Sequence, residues 1–391
     1  MAETTTKKQG IMNVAILGAG PAGLYAAYLW KRRHPQARVD VFEQNAADAT
    51  FGFGVVFSEQ AMGFLRQDDP DTARAITPHM QSWQNITLDL DGAHIEIDGI
   101  GFSAVGRLAL LQILQARALA VGATLHFNRT IASLDELANY DLIIAADGIN
   151  SLARRSHPDA FGTTLEEGHN KFIWYGTNLP FDTLSQTFVT TAKGAFTAHH
   201  YRYGPQQSTF IIECQADTWA AFGFADKTEA QTRMICAEIF ASALQGHELI
   251  SNRSLWRQFP FLANRHWSHR NIVLIGDALH SAHFSIGSGT RLAMEDALAL
   301  VRALEDAPDD LAAALQAFAA ARRPAVEKLT AAARTSAIWY EDFAAHMRLA
   351  PLEFAMSYIT RSGRVDLARL RTLSPRFMAR YDASVIATRQ N

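Results

Sequence analysis

Residues 14–43 limit the fold more than any other stretch. Val14-Ala15-Ile16-Leu17 is an apolar run of buried-strand length. Gly18-Ala19-Gly20-Pro21-Ala22-Gly23 follows it, then a helical stretch from Leu24 to about Arg33 and a second strand, Val39–Phe42. Glu43 ends that strand 20 residues past the last glycine. Each part has a physical task. Gly18 permits the tight turn, Gly20 lets backbone approach a pyrophosphate, Gly23 lets helix pack on strand, and Glu43 can accept from a ribose hydroxyl. Strand, turn, helix, strand and acid in that order predict a dinucleotide-binding βαβ unit.

The parallel-sheet pattern breaks off and resumes. Residues 58–80 are polar and read as interrupted helix, and Trp83–Ile97 alternates like a hairpin of a different sheet. Phe51–Phe57 alternates glycine with aromatics, which suits either a buried turn or a close approach to a flat ring. Arg107–Ala120 is an amphipathic helix; periodicity alone favours a solvated Arg107 over a phosphate or ribityl contact. Leu142–Ala146 is a second buried strand ending in Asp147-Gly148. β-branched and aromatic runs at Phe172–Tyr175, Thr187–Thr190, Ala195–Tyr203 and Ser208–Glu213 predict a second sheet, within which His199 and His200 face opposite ways. Leu311–Ala345 and much of the tail read as helical, with the tail packing on the dinucleotide lobe.

Asn271–Ala297 returns to the first lobe. A short strand meets Gly276-Asp277, then Ser285–Thr290 (SIGSGT), then a helix over Arg291–Leu304. Bare backbone N–H groups and the positive end of the helix dipole there suit an anionic or electron-rich ligand.

GAGPAG with Glu43, then Asp147-Gly148, then Gly276-Asp277 with its helix resembles the single-component FAD-dependent aromatic hydroxylases, the family of para-hydroxybenzoate hydroxylase. The resemblance covers nearly the whole chain. It implies an α/β fold: a Rossmann-like FAD-binding lobe (10–82, 100–168 and 266–345), an inserted β-sheet substrate lobe (83–99 and 169–265) and a helical C-terminal tail (346–391). It implies FAD held by Gly18, Gly20, Ala22, Gly23, Glu43, Gln44, Arg107, Asp147, Asp277, Gly287, Gly289 and Thr290, which reverses the local reading of Arg107. NADH or NADPH would reduce the flavin, and a C4a-hydroperoxyflavin would hydroxylate an activated aromatic ring. Phe284 stands where many relatives have proline, and Arg291 where many have asparagine. HFSIGSGT (283–290), NKFIWYGT (170–177) and TFIIEC (209–214) resemble the branch of salicylyl-CoA 5-hydroxylase, anthraniloyl-CoA monooxygenase and the violacein-pathway hydroxylases.

That branch points to salicylyl-CoA (5-hydroxylation) or a related aryl-CoA, with a tryptophan-derived or other free aromatic as the alternative. His283, Phe284 and Tyr201 are the candidate catalytic residues; Phe53, Phe57 and Trp174 join the candidate pocket wall. A CoA thioester would need basic residues at a groove mouth, for which Arg154, Arg155, Arg202, Arg253, Arg257 and Arg265 are available. Asp277, His280 and His283 have a spacing that could suggest a metal, but the flavin loop accounts for them and none is expected. The halogenase pattern W-x-W-x-I-P is absent, while a flavin-fold reductase without oxygen insertion stays open. A net charge of −3 argues against nucleic acid or an anionic membrane as partner. No signal peptide, spanning segment or fused second enzyme is expected, and Cys214 and Cys236 read as buried reduced thiols. The expectation is a cytoplasmic monomer or homodimer using molecular oxygen.

Overall fold

The computed structural model describes residues 12–390; the expectations for residues 1–11 lie outside them. A six-stranded sheet runs Ser268–His269, Ile272–Leu274, Leu142–Ala145, Val14–Leu17, Val39–Phe42, Thr124–His126 and is parallel except at its Ser268–His269 edge. Val14 sits opposite both Val39 and Leu142, so the glycine turn and the Asp147-Gly148 turn leave the sheet side by side. Strands buried on both faces explain the unbroken apolar runs. The helices Pro21–Arg33, Arg107–Ala120 and Gly289–Asp306 pack around that sheet. The last extends the expected helix by two residues at each end.

A second sheet runs Leu249–Ile250, Thr163–Thr177, Gln207–Cys214, Gly194–Gly204, Leu184–Thr191, Ile86–Leu90, Ala93–Ile97. The long strand Thr163–Thr177 also pairs with Arg257–Asn264, with a register shift between Glu167 and Lys171. A border at 168/169 therefore falls inside one strand. A small third sheet of Gly54–Ser58, Phe102–Gly106 and Gln81–Trp83 lies between the two. Its register sets Gly54 opposite Gly106, and the Arg107 amide donates to the Phe53 carbonyl at 2.8 Å. The glycine–aromatic stretch and the start of the Arg107 helix are thus one construction.

The tail corrects an expectation. It packs on the substrate sheet, not on the dinucleotide lobe: Phe354, Tyr358, Ile359, Phe377 and Met378 share a core with Ile95, Ile97 and Phe188. Hydrogen bonds fasten it there, from the Ser374 hydroxyl to the Asp98 carbonyl (2.5 Å) and from the Phe377 amide to the Asp98 carboxylate (2.9 Å). The reason is area. The outer face of the Ile86–Ile97 hairpin is apolar, and each aromatic buried against it is worth about 2 kcal/mol. No helix among the described residues is long and apolar enough to cross a membrane.

Candidate active site

The glycines of the first turn have separable geometric roles. Gly18 has φ +93°, and a Cβ there would stand 2.5 Å from the Ala146 carbonyl oxygen. A Cβ on Gly23 would stand 2.1 Å from the Gly18 carbonyl oxygen, whereas Gly20 faces open space. Glu43 ties the turn down: its carboxylate accepts from the Ala19 amide (3.0 Å) and from the Asn45 amide and side chain (2.8 and 2.7 Å). A cavity of about 100 Å³ lies here, lined by Gly20, Glu43, Asn45 and Arg107 among others. Gln44 is exposed and does not line it.

A larger cavity of about 350 Å³ continues from it, with Gly20, Ala22, Gly54, Arg107, Asp277 and the Gly287–Thr290 segment in its wall. Arg107 lines both spaces, and its side chain makes no hydrogen bond to the described residues. Burial lowers its guanidinium from the ordinary range, with Asp277 pulling the other way. Asp277 faces the cavity; the protein crowded around it raises its carboxyl, opposed by Arg107 and His280. Asp147 lies beside this space. One of its oxygens accepts from the Leu152 amide at 2.7 Å, the other is buried without a partner, and its neighbours Ala146, Gly148 and Ile149 form the wall. An elongated cleft carrying free N–H groups at a helix start, one uncommitted arginine and one uncommitted carboxylate fits a dinucleotide with an anionic middle and a hydroxylated chain.

Beneath the Gly276-Asp277 turn lies a buried network that the sequence reading missed. Asp296 accepts from the Gly276 amide (3.1 Å), the His280 ring (2.8 Å) and Arg322 (2.9 Å). Burial opposes ionisation there, but His280, Arg322 and the amide hold the carboxyl below its usual range. An acid in the second turn of a helix beginning at a glycine loop was the available signal.

A second cavity, of about 190 Å³, lies on the far side of the glycine loop. Val56, His199 and Gly287 line both it and the larger one. His199 is 6% exposed, and neither ring nitrogen has a hydrogen-bond partner. Burial, with the nearby Arg361 charge, pushes it down to about 3, so it is neutral at ordinary pH. His200 points the other way, to Thr187 (2.9 Å) and the Phe210 ring.

The loop between the cavities is held from behind. The His283 ring meets the Ser285 hydroxyl (2.8 Å), that hydroxyl meets Ser336 (2.8 Å), and Arg361 donates to Ser336 (3.0 Å) and to the Ser285 carbonyl (2.9 Å). His283 therefore reaches neither cavity; it packs against Phe259 and Phe284 in a closed space shared with Glu213. Phe284, Trp174 and Tyr201 do line the larger cavity, and the Tyr201 hydroxyl donates to the Gly54 carbonyl at 3.0 Å. Burial raises that phenol well above its ordinary range. Phe53 packs toward Gly176, and Phe57 is in the core. Arg154 is spent on backbone carbonyls of Ile149 and Ala278. None of the six arginines expected at a groove mouth lines the second cavity; Arg361, Arg364 and Arg369 of the tail do. Their signal, R-x-x-R-x-x-x-x-R after an apolar helix, sits in a segment whose place in the fold could not be read. Among the described residues no cluster of potential metal ligands occurs.

Comparison with known proteins adds independent findings. A family model described as an FAD binding domain matches residues 138–333, and one described as an NAD(P)-binding Rossmann-like domain matches residues 16–52. Salicyloyl-CoA 5-hydroxylase of a Streptomyces species is 40% identical over 361 residues, covering 90% of this chain and 70% of that protein. A 3-hydroxy-4-methyl-anthranilyl-[aryl-carrier protein] 5-monooxygenase of Streptosporangium sibiricum is 34% identical, covering 92% and 97%. Among solved structures, P. aeruginosa PqsL in complex with 2-aminobenzoylacetate superposes with a TM-score of 0.66 at 19% identity, covering 85% of this chain and 97% of that one, a likeness of fold.

Proposed function

This chain belongs to the FAD-dependent aromatic hydroxylases, an oxidoreductase family using a nicotinamide nucleotide as co-substrate, and from that premise we propose that it hydroxylates the ring of an activated aryl thioester. Salicylyl-CoA, hydroxylated at position 5, is the first candidate. The observation that carries the reading is the shared wall. Val56, His199 and Gly287 line both cavities, so a ring in the smaller space lies directly against the larger one.

When bound, FAD supplies the reduction by NAD(P)H and the delivery of one oxygen atom from O2. The residues of this chain bind, orient and exclude water. In this proposal Gly20 and Ala22 admit the ADP portion, Gly18 and Gly23 keep the turn tight behind it, and Glu43 is on the ribose. Arg107 serves the pyrophosphate or ribityl chain, and Asp277 the ribityl hydroxyls. The amides of Gly289 and Thr290, at the helix start, stabilise negative charge on the ring system, while Gly287, its amide donating to the Phe284 carbonyl at 3.0 Å, shapes the wall beside them. Asp147 holds the Gly148 turn, and Phe284, Trp174 and Tyr201 keep the wall dry. His283 holds the loop through Ser285. His199 is the group that orients the substrate: a neutral imidazole, buried and unpartnered, offers one donor and one acceptor to a ring hydroxyl or amino group. The nicotinamide co-substrate and the two buried free thiols, Cys214 and Cys236, support action in the cytoplasm.

The test is to mix holoenzyme and NADH or NADPH with salicylyl-CoA, anthraniloyl-CoA and free phenolic or indolic acids, following oxygen uptake, peroxide release and product mass. Hydroxylated thioester with little peroxide is expected. Flavin reduction with no substrate-dependent oxygen insertion would sink the reading in favour of a reductase. His199→Ala is expected to lower hydroxylation about tenfold, the worth of one buried hydrogen bond, and to divert oxygen to peroxide. Because His199 stays neutral above pH 5, it should contribute no break to the pH–rate profile there.

A further inference from the structure

The second cavity has two ends of opposite character. Ile86, Leu184 and His199 make its buried end, and Arg364 and Arg369 stand exposed at its rim. No Asp or Glu among the described residues lines it. Arg361 is already committed, its three donor groups spent on Ser336, Tyr358 and Ser285. Arg364 and Arg369 make no salt bridge and no side-chain hydrogen bond to described residues. The carboxylate next to them, Asp366, is occupied in capping the Leu367–Leu373 helix through the Arg369 amide at 2.7 Å. Nearby Arg291 is matched by Glu295 at 2.7 Å. Partial burial, then the like charges of Arg291 and Arg369, push the Arg364 guanidinium below its ordinary range. Folding thus brings two cations to one rim and supplies no anion for them.

We propose that Arg364 and Arg369 form a phosphate subsite at the mouth of the substrate cavity, taking the phosphorylated arm of a CoA-type thioester while its aryl group lies at the His199 end. The proposal rests on the thioester reading above. It assigns the tail a role in substrate selection beyond its packing on the β-sheet. The small apolar end admits a ring and little else, so the bulk of a CoA thioester stays outside, where the arginines are.

The experiment compares three substrates of one aryl group: the CoA thioester, the 4′-phosphopantetheine thioester and the pantetheine thioester, which has no phosphate. With wild-type holoenzyme at low ionic strength, KM for the pantetheine form should exceed that for the CoA form about tenfold, and salt should erode the gap. Retention of the gap by the phosphopantetheine form would place the recognised phosphate on the arm; its loss there would place it on the nucleotide end. Either supports a phosphate subsite. In an Arg364→Ala/Arg369→Ala variant the gap should close to about twofold through a higher KM for the CoA form. An Arg364→Lys/Arg369→Lys variant should keep most of it. No gap in the wild type, or a gap that survives the alanine pair, overturns the proposal. If only free acids are turned over, the thioester reading fails and calorimetry with CoA decides the subsite separately. Binding lost in the alanine pair upholds it; equal or absent binding overturns it.

Discussion

The two cavities meet at one glycine loop but are built differently. The larger has one wall of two glycine turns leaving one parallel sheet and the start of a long helix, and an opposite wall of side chains that includes Trp174, Tyr201 and Phe284. The smaller is walled from places scattered along the chain: besides Val56, Ser58 and the Ser285–Gly287 loop, it draws on Ile86, Gly99–Phe102, Leu184, His199 and the tail between Tyr358 and Leu373. The buried carboxylates behind them show the same contrast. Asp296, under the larger cavity, is ringed by an amide, an imidazole and a guanidinium and stays ionised. Glu213, in the sheet of the smaller one, accepts only from Asn170 (2.8 Å) on one oxygen, and burial pushes it up to about 7. Asp296 is matched on every side and Glu213 on one oxygen only, and the difference sets opposite pH dependences on the two sides of the molecule.

The largest effect should come from Asp296. Asp296→Ala leaves His280 and Arg322 buried without their shared carboxylate and frees the Gly276 turn. A stability loss of about 3–5 kcal/mol is expected in urea unfolding, with loss of bound flavin absorbance. The wild-type carboxyl is depressed, so its contribution is present above the ordinary carboxylate range and disappears only in acid. Retention of full stability and full flavin would break the contrast at its strong end. Glu213 should behave oppositely. Its folded value, about 7, lies above the ordinary 4.5, so the folded state holds a proton that the unfolded state has released. Stability therefore falls as pH rises between those values and levels off above. Glu213→Gln should remove that slope, gaining roughly 3 kcal/mol over wild type between pH 4.5 and 7.5. Parallel unfolding curves at both pH values would show that Glu213 ionises freely.

The same division decides what could be read from residues. The glycine-turn side of the first cavity was legible because that wall is local: a glycine turn, its strand and its helix are adjacent in the chain, and the acid ending the next strand carries its own meaning. Gln44 was the exception; the residue after Glu43 points to solvent and Asn45 turns inward instead. The second cavity depends on where the tail docks, and nothing in the Ala- and Arg-rich composition of residues 346–391 distinguishes one apolar surface from another. Arg361 and Ser336 act across separations that no spacing rule covers. His283 is next to the loop in sequence, but its side chain is on the rear face because its ring meets the Ser285 hydroxyl and lies edge-on to Phe259 and tilted against Phe284.

The smallest of the three effects tests the wall itself. Gly287 is the backbone element common to both cavities, at φ +58°, and a Cβ there would stand 2.7 Å from a Val56 methyl, the other wall residue on that side. Val56 is 9% exposed in a paired strand, so it has little room to retreat. Gly287→Ala combines a left-handed backbone with a steric push and should cost about 2 kcal/mol. Its functional signature is the sharper readout. A substitution confined to the cofactor side would lower flavin content and leave KM for the aromatic substrate alone; one confined to the substrate side would do the reverse. Gly287→Ala should move both, because the push on Val56 enters the smaller cavity while the loop shift displaces the amides facing the larger one. Titration of flavin content against KM for the aryl thioester measures the two together. If only one moves, the cavities are separated by more than this loop, and Val56 and His199 would join them without it.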